Sequence, residues 1–178
     1  MTTPRLRKAA LTMHIASSVG WLGAIGAYVA LNVPAVTSSD EGTVRAAYLM
    51  MEPVLLYAIV PLAVLSFASG VVQSLISPWG LFRHYWVIMS LLATGFALAI
   101  LLLHIPDVQD MTKVARDPDA DVGALQGDLV HSIGGGLVLL LPLVLNVFKP
   151  RGLTPHGWRA MQRQRGHADA ELSSDKTR

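Results

Sequence analysis

The chain has 178 residues, of which 52% are hydrophobic and only 15% charged, and a formal net charge of +2. With a mean hydropathy of +0.47, this balance excludes an ordinary soluble domain and makes a bilayer the expected solvent. The absence of cysteine removes disulfides, thiolate metal sites and cysteine nucleophiles from consideration.

Four apolar runs, at about 9–31, 53–76, 85–104 and 128–148, each approach the ~20 residues a helix needs to cross ~30 Å of hydrocarbon. They are continuous rather than alternating, and in lipid only helices or closed barrels satisfy every backbone group. The expected fold is therefore all-α: a polytopic membrane protein with a four-transmembrane-helix bundle over residues 1–150, followed by a basic segment over 151–178. RLRK at 5–8 gives the first run the look of a signal peptide. The run is longer than the ~7–15 residues of a secretory apolar region and no small-residue cleavage site closes it, so it is expected to stay as an anchor.

At 100° per residue, His14, Ser18, Trp21, Ile25 and Tyr28 share one stripe of the first helix, expected to face the bundle because an intramembrane histidine rarely faces lipid. Ala16, Gly20, Gly23 and Ala27 form the opposite stripe, which suits close approach of another helix, a second copy or a partner subunit. The second helix is expected to open at Glu52 and Pro53, and Pro61 to kink it and free a carbonyl near Tyr57. Gln73 lies at the depth of His14 and of Asn146 in the fourth run. His14, Ser18, Gln73 and Asn146 thus define an inner polar cluster, suited to interhelical hydrogen bonding or to a ligand.

The loop SPWGLFRHYW carries interfacial aromatics and Arg83, with His84 among them. In the third helix Ser90, Thr94, Ala97, Leu101 and His104 share a face. Pro106 is expected to end that helix at Ile105, leaving a polar connection with a short surface helix near 108–115. The fourth helix opens at Asp128, contains the triplet Gly134, Gly135 and Gly136, which permits close approach of a neighbour or a flat cofactor, and is expected to kink at Pro142. Thr154 and Pro155 read as a cap and first residue of a basic, partly apolar helix bearing Trp158, Arg159, Met161, Arg163 and Arg165. Such a helix suits an anionic lipid surface, and no nucleic-acid motif accompanies it. Residues 166–178 are expected to be disordered.

Eleven of the fourteen Lys and Arg fall on the side of the termini and the middle loop; only Arg45, Lys113 and Arg116 fall opposite. The positive-inside rule then places both termini in the cytoplasm and the acidic connections outside the cell membrane.

The third and fourth helices are antiparallel, so HIPD (104–107) and DLVH (128–131) lie at one depth with their order inverted. His104 and His131, with Asp107 and Asp128 three residues away, form a candidate shell for Cu, Zn or Fe, each carboxylate a ligand or an orienting acceptor. Two facing imidazoles equally suit a b-type haem. The remaining readings are interfacial capping and a proton relay.

The opening HIASSVGWLG, through His14, Trp21 and Gly23, resembles small bacterial integral membrane proteins of four helices and, more remotely, copper-resistance D-type membrane proteins. The likeness covers about twenty residues of one helix. It implies a histidine-lined membrane site for copper. The layout also looks like bacterial di-haem b-type membrane cytochromes, although His14, His104 and His131 are too few for two haems. The functions left standing are a metal- or haem-binding membrane protein, a non-catalytic scaffold or accessory subunit, and a small transporter. No duplicated half favours the transporter, and no nucleophile with its base, phosphate loop or zincin motif points to an enzyme.

Overall fold

The computed structural model of the chain describes residues 3–77 and 79–175. Helix α1 spans Pro4–Thr37, with the Thr3 hydroxyl accepting from the Leu6 amide at its start. Asp40 caps α2 (Glu41–Val54), accepting from the Thr43 amide at 2.9 Å and the Thr43 hydroxyl at 2.6 Å. The hydroxyl first, and then the amide, hold the Asp40 carboxyl below the ordinary aspartate range. A π-helical turn at Leu55–Ile59 joins α2 to α3 (Val60–Ile76) without a break. Pro61 has no N–H for the Tyr57 carbonyl, and the chain absorbs the defect by letting the Val60 amide reach back five residues to Leu55. The expected disturbance at Pro61 therefore takes the form of a bulge. Helices α4 (Tyr85–Arg116) and α5 (Leu129–Phe148) complete four helices long and apolar enough to cross a membrane.

The bundle closes as a ring in which α1 packs on α3, α3 on α4, α4 on α5 and α5 on α1. At 1.5 Å per residue, the 34 residues of α1 and the 32 of α4 reach about 51 and 48 Å, against about 30 Å for the 20 residues of α5. Three of the four expected spans thus continue as helix well past their apolar stretch. Glu52 lies inside a helix rather than opening one, and α4 runs through Pro106 and absorbs the separate surface helix expected at 108–115. The physical reason is tertiary. The extensions meet at the Asp40 end and bury Ala35, Val44, Ala47, Tyr48, Met51, Val108, Ala115 and Val122, where each large side chain contributes roughly 1.5–3 kcal/mol.

Two polar devices close this head. The buried Thr112 hydroxyl donates to the Tyr48 carbonyl at 3.3 Å. The Arg45 guanidinium caps the end of α4, donating to the carbonyls of Ala115, Asp117, Pro118 and Ala120 and to Glu41, a cation placed at the negative end of a helix dipole. The opposite end is tied by the segment before α6 (Pro155–Asp175). The Thr154 amide and hydroxyl donate to the Arg83 and Phe82 carbonyls, and the hydroxyl accepts from the Gly157 amide at 3.0 Å, the expected cap. Helix α6 continues to Asp175, so disorder from residue 166 is not observed; residues 176–178 lie outside the described part. Along the flanks of the bundle Val19, Leu75, Leu92, Leu103, Leu137 and Val147 are exposed, the arrangement expected where lipid is the solvent.

Candidate metal centre

The polar stripe of α1 continues one turn beyond Tyr28 to Asn32, which is fully buried. Its side-chain oxygen accepts from the backbone amide of Asp128 at 2.9 Å. Immediately before Asp128 the chain turns at Gly127, whose φ of +72° favours glycine and whose missing Cβ would lie 2.2 Å from Val36 Cγ1. These two residues deliver the Asp128 carboxylate into the interior at the start of α5, where its side chain is only 2% exposed. A carboxylate this deep requires a charged or strongly donating partner.

His104 supplies it. Its Nε2 lies 2.7 Å from Asp128 Oδ1 and its Nδ1 lies 2.9 Å from Asp107 Oδ2. The continuity of α4 through Pro106 is what keeps Asp107 one turn above His104 and facing it. Ionised carboxylates only accept hydrogen bonds, so a ring that bridges two of them donates from both nitrogens, and the arrangement suits an imidazolium clamped between two acids. His131 Nδ1 lies 3.4 Å from the same Asp128 oxygen. Its ring stacks on that of His104 with centroids 4.2 Å apart and planes 19° from parallel.

Each of His104, Asp128 and His131 offers a ligand atom, and these atoms lie within 4.8 Å of one another. Tetrahedral ligation with bonds of about 2.0–2.2 Å places ligand atoms roughly 3.4 Å apart, so side-chain adjustments of about an ångström suffice. Asp107 stands behind His104 Nδ1, the position from which a carboxylate fixes tautomer and ring orientation in metal-bound histidines. Three ligands leave a coordination position free, and all three residues line one cleft. A haem held by both histidines is a different matter. Its macrocycle would have to lie between the rings, and rings stacked at 4.2 Å have no space for it, so bis-histidine haem b does not fit this arrangement.

The inner polar cluster is only partly assembled as expected. His14 Nδ1 lies 3.2 Å from the Ser66 carbonyl and 3.3 Å from Ser69 Oγ, and Ser18 bonds Ser66 at 2.7 Å. Gly70 makes room for this, since a Cβ there would lie 3.0 Å from His14 Cε1. Asn146 is exposed and donates to the Pro142 carbonyl one turn back, and the Gln73 side-chain oxygen is buried without a partner. The true members are serines of α1 and α3, including buried Ser17. They form an interhelical hydrogen-bond seam, because a serine in lipid closes short bonds to whichever backbone or hydroxyl faces it. On the other side of α1, Gly20 rests on Leu62, whereas Ala16, Gly23 and Ala27 stay exposed.

No family model, curated protein or solved structure matches the chain. The likeness to copper-resistance D-type proteins thus rests on His14, Trp21 and Gly23 alone, and the structure places these three on the first helix, outside the group formed by His104, Asp128 and His131. Asn32 is the functional neighbour that the sequence reading passed over. Its signal was present as the next member of the series 14, 18, 21, 25, 28 on the buried stripe.

Proposed function

We propose that the chain is a multi-pass cell-membrane protein, with both termini cytoplasmic, that binds a divalent transition metal through His104, Asp128 and His131 at the outer end of the bundle. The observation that carries this reading is the convergence of two imidazoles on one buried carboxylate, with their ligand atoms within 4.8 Å. Two nitrogens and one carboxylate oxygen suit Zn²⁺, Cu²⁺ or Fe²⁺. Asp107 supports His104 from behind, and the metal replaces the proton on Nε2. The open position faces the cleft, so the centre serves metal handling or chemistry on a small ligand, and the reading contains no assigned reaction.

Equilibrium dialysis of the detergent-purified protein against Zn²⁺, followed by elemental analysis, tests this. One equivalent of zinc is expected, falling at least ten-fold in affinity in His131→Ala and in Asp128→Asn. A protein that retains no metal above a His131→Ala control returns the triad to an ion-pair lock. The second reading is then a scaffold: the exposed face of Ala16, Gly23 and Ala27, where a Cβ on Gly23 meets nothing within 4 Å, suits a partner helix. Helix α6, with Arg159, Arg163 and Trp158, fits an anionic lipid surface in either reading.

A further inference from the structure

Below the His–Asp cluster the bundle contains a cleft of about 310 Å³. Its floor is formed by α1 and the π-helical turn, through buried Trp21, Tyr28, Leu55 and Ile59. Its rim is formed by Phe96, Ile100, Val130 and His131, all exposed on the flank of the bundle between α4 and α5. In a bilayer that flank faces acyl chains, so an occupant enters sideways from lipid. One wall is missing altogether, because Gly134 and Gly135 line the cleft and a Cβ on either would meet nothing within 4 Å.

The chemistry of the lining restricts the occupant. An apolar cavity of about 150 Å³ accepts benzene, and twice that volume suits two fused rings. Trp21 brings an indole N–H that has no partner, and the Tyr28 hydroxyl is turned toward the Asp128 carboxylate, which takes it up as a donor. An unpaired donor buried in an apolar floor favours an occupant that carries an acceptor oxygen on a flat apolar body. At the polar end, His131 directs Nδ1 toward Asp128 and keeps Nε2 for a ligand. A phospholipid acyl chain fills volume but offers that donor nothing.

We infer that this cleft is a binding site for the head group of a lipid-soluble quinone of two-ring size, seated flat against Gly134 and Gly135 with its oxygens toward Trp21 and the His–Asp cluster. The site stands on the membrane reading but does not need the metal. Its residues form the cleft with or without an ion on His131.

The test is binding of 2-methyl-1,4-naphthoquinone to the full-length protein in detergent, measured by equilibrium dialysis and by quenching of tryptophan fluorescence, in EDTA and again with zinc. The absence of cysteine removes thiol addition as a source of retention. One saturable site is expected in EDTA, with quenching reduced in Trp21→Phe. Gly135→Leu should weaken binding at least ten-fold while unfolding at or above the wild-type temperature, since leucine enters empty space and raises helix propensity. His131→Ala should weaken it roughly three- to ten-fold through one lost hydrogen bond. Uptake that never saturates, equal binding by Gly135→Leu, or a cleft from which phospholipid is not displaced by the quinone would each overturn the assignment. Quinone binding without zinc binding would overturn the metal centre alone, and zinc binding without quinone binding would overturn this site alone.

Discussion

Replacing His104 by alanine should destabilise the protein far more than replacing its other partner, Asp107. The Asp107 side chain is 63% exposed, and an ion pair so open to solvent contributes at most about 1 kcal/mol. Asp128 is 2% exposed and bonded to His104 Nε2 at 2.7 Å. His104→Ala takes the nearest imidazole from that carboxylate and leaves it the weaker contacts of His131, 3.4 Å away, and of the Tyr28 hydroxyl. Breaking a buried pair from one side costs about 3–5 kcal/mol. For a chain of this size each kcal/mol moves Tm by about 2–4 °C, so His104→Ala should lower Tm by roughly 6–20 °C and Asp107→Ala by about 4 °C or less. Thermal unfolding in one detergent, followed by circular dichroism, reads both. The decisive arm is the double variant His104→Ala/Asp128→Asn, in which the stranded charge is gone: it should recover at least half of the loss. If His104→Ala falls no further than Asp107→Ala, or the double variant is no better than the single one, the buried ion-pair reasoning is wrong.

Three other outcomes follow from the same geometry. Gly127→Ala places a Cβ 2.2 Å from Val36 Cγ1 at a positive φ, so about 1–2 kcal/mol of backbone strain adds to the clash, and Tm should fall by several degrees. Gly26→Ala, inside α1 where a Cβ meets nothing within 4 Å, is the mild control. Arg45→Ala uncaps the end of α4, and with hydrogen bonds to charged groups worth about 1.5–3 kcal/mol it should speed amide exchange over residues 112–120 by ten-fold or more, whereas the exposed Lys113→Ala should not. The Asp40 carboxyl is held below its ordinary range by Thr43, so its cap contributes fully above the unfolded aspartate value and is lost as pH falls through the lower folded one. Helix α2 should fray from Glu41 on acidification, an effect absent in Asp40→Asn, and amide exchange at Thr43 and Val44 reads it.

The apolar runs announced the four helices because lipid demands about twenty uncharged residues from each, and in α5 the expected and observed limits nearly coincide. The ends of the other helices were illegible for a definite reason. Beyond the apolar stretches the signal changes from continuous apolarity to an amphipathic stripe, and Val44, Ala47, Tyr48 and Met51 meeting Val108 and Ala115 is a contact between distant segments. Pro106 illustrates the same point. Its local preference to end a helix was outweighed by the head contacts of residues 108–115, and the outcome placed Asp107 against His104. The inverted order of HIPD and DLVH did identify four residues that gather at one level. It did not reveal that Asp128, rather than a histidine, lies at the centre, which depends on Asn32 and Gly127 at the far side of the chain's return. Asn146 shares the depth of His14 but not its rotation toward the bundle, and depth without rotation does not bring a side chain to its neighbour.

X-ray absorption at the zinc edge on the zinc-loaded protein tests the metal centre most directly. Two imidazoles and one carboxylate predict nitrogen and oxygen scatterers at about 2.0–2.1 Å, with the outer-shell pattern of two histidine rings in the wild type and of one in His131→Ala. A shell with no imidazole pattern, or the same spectrum from both proteins, would contradict it.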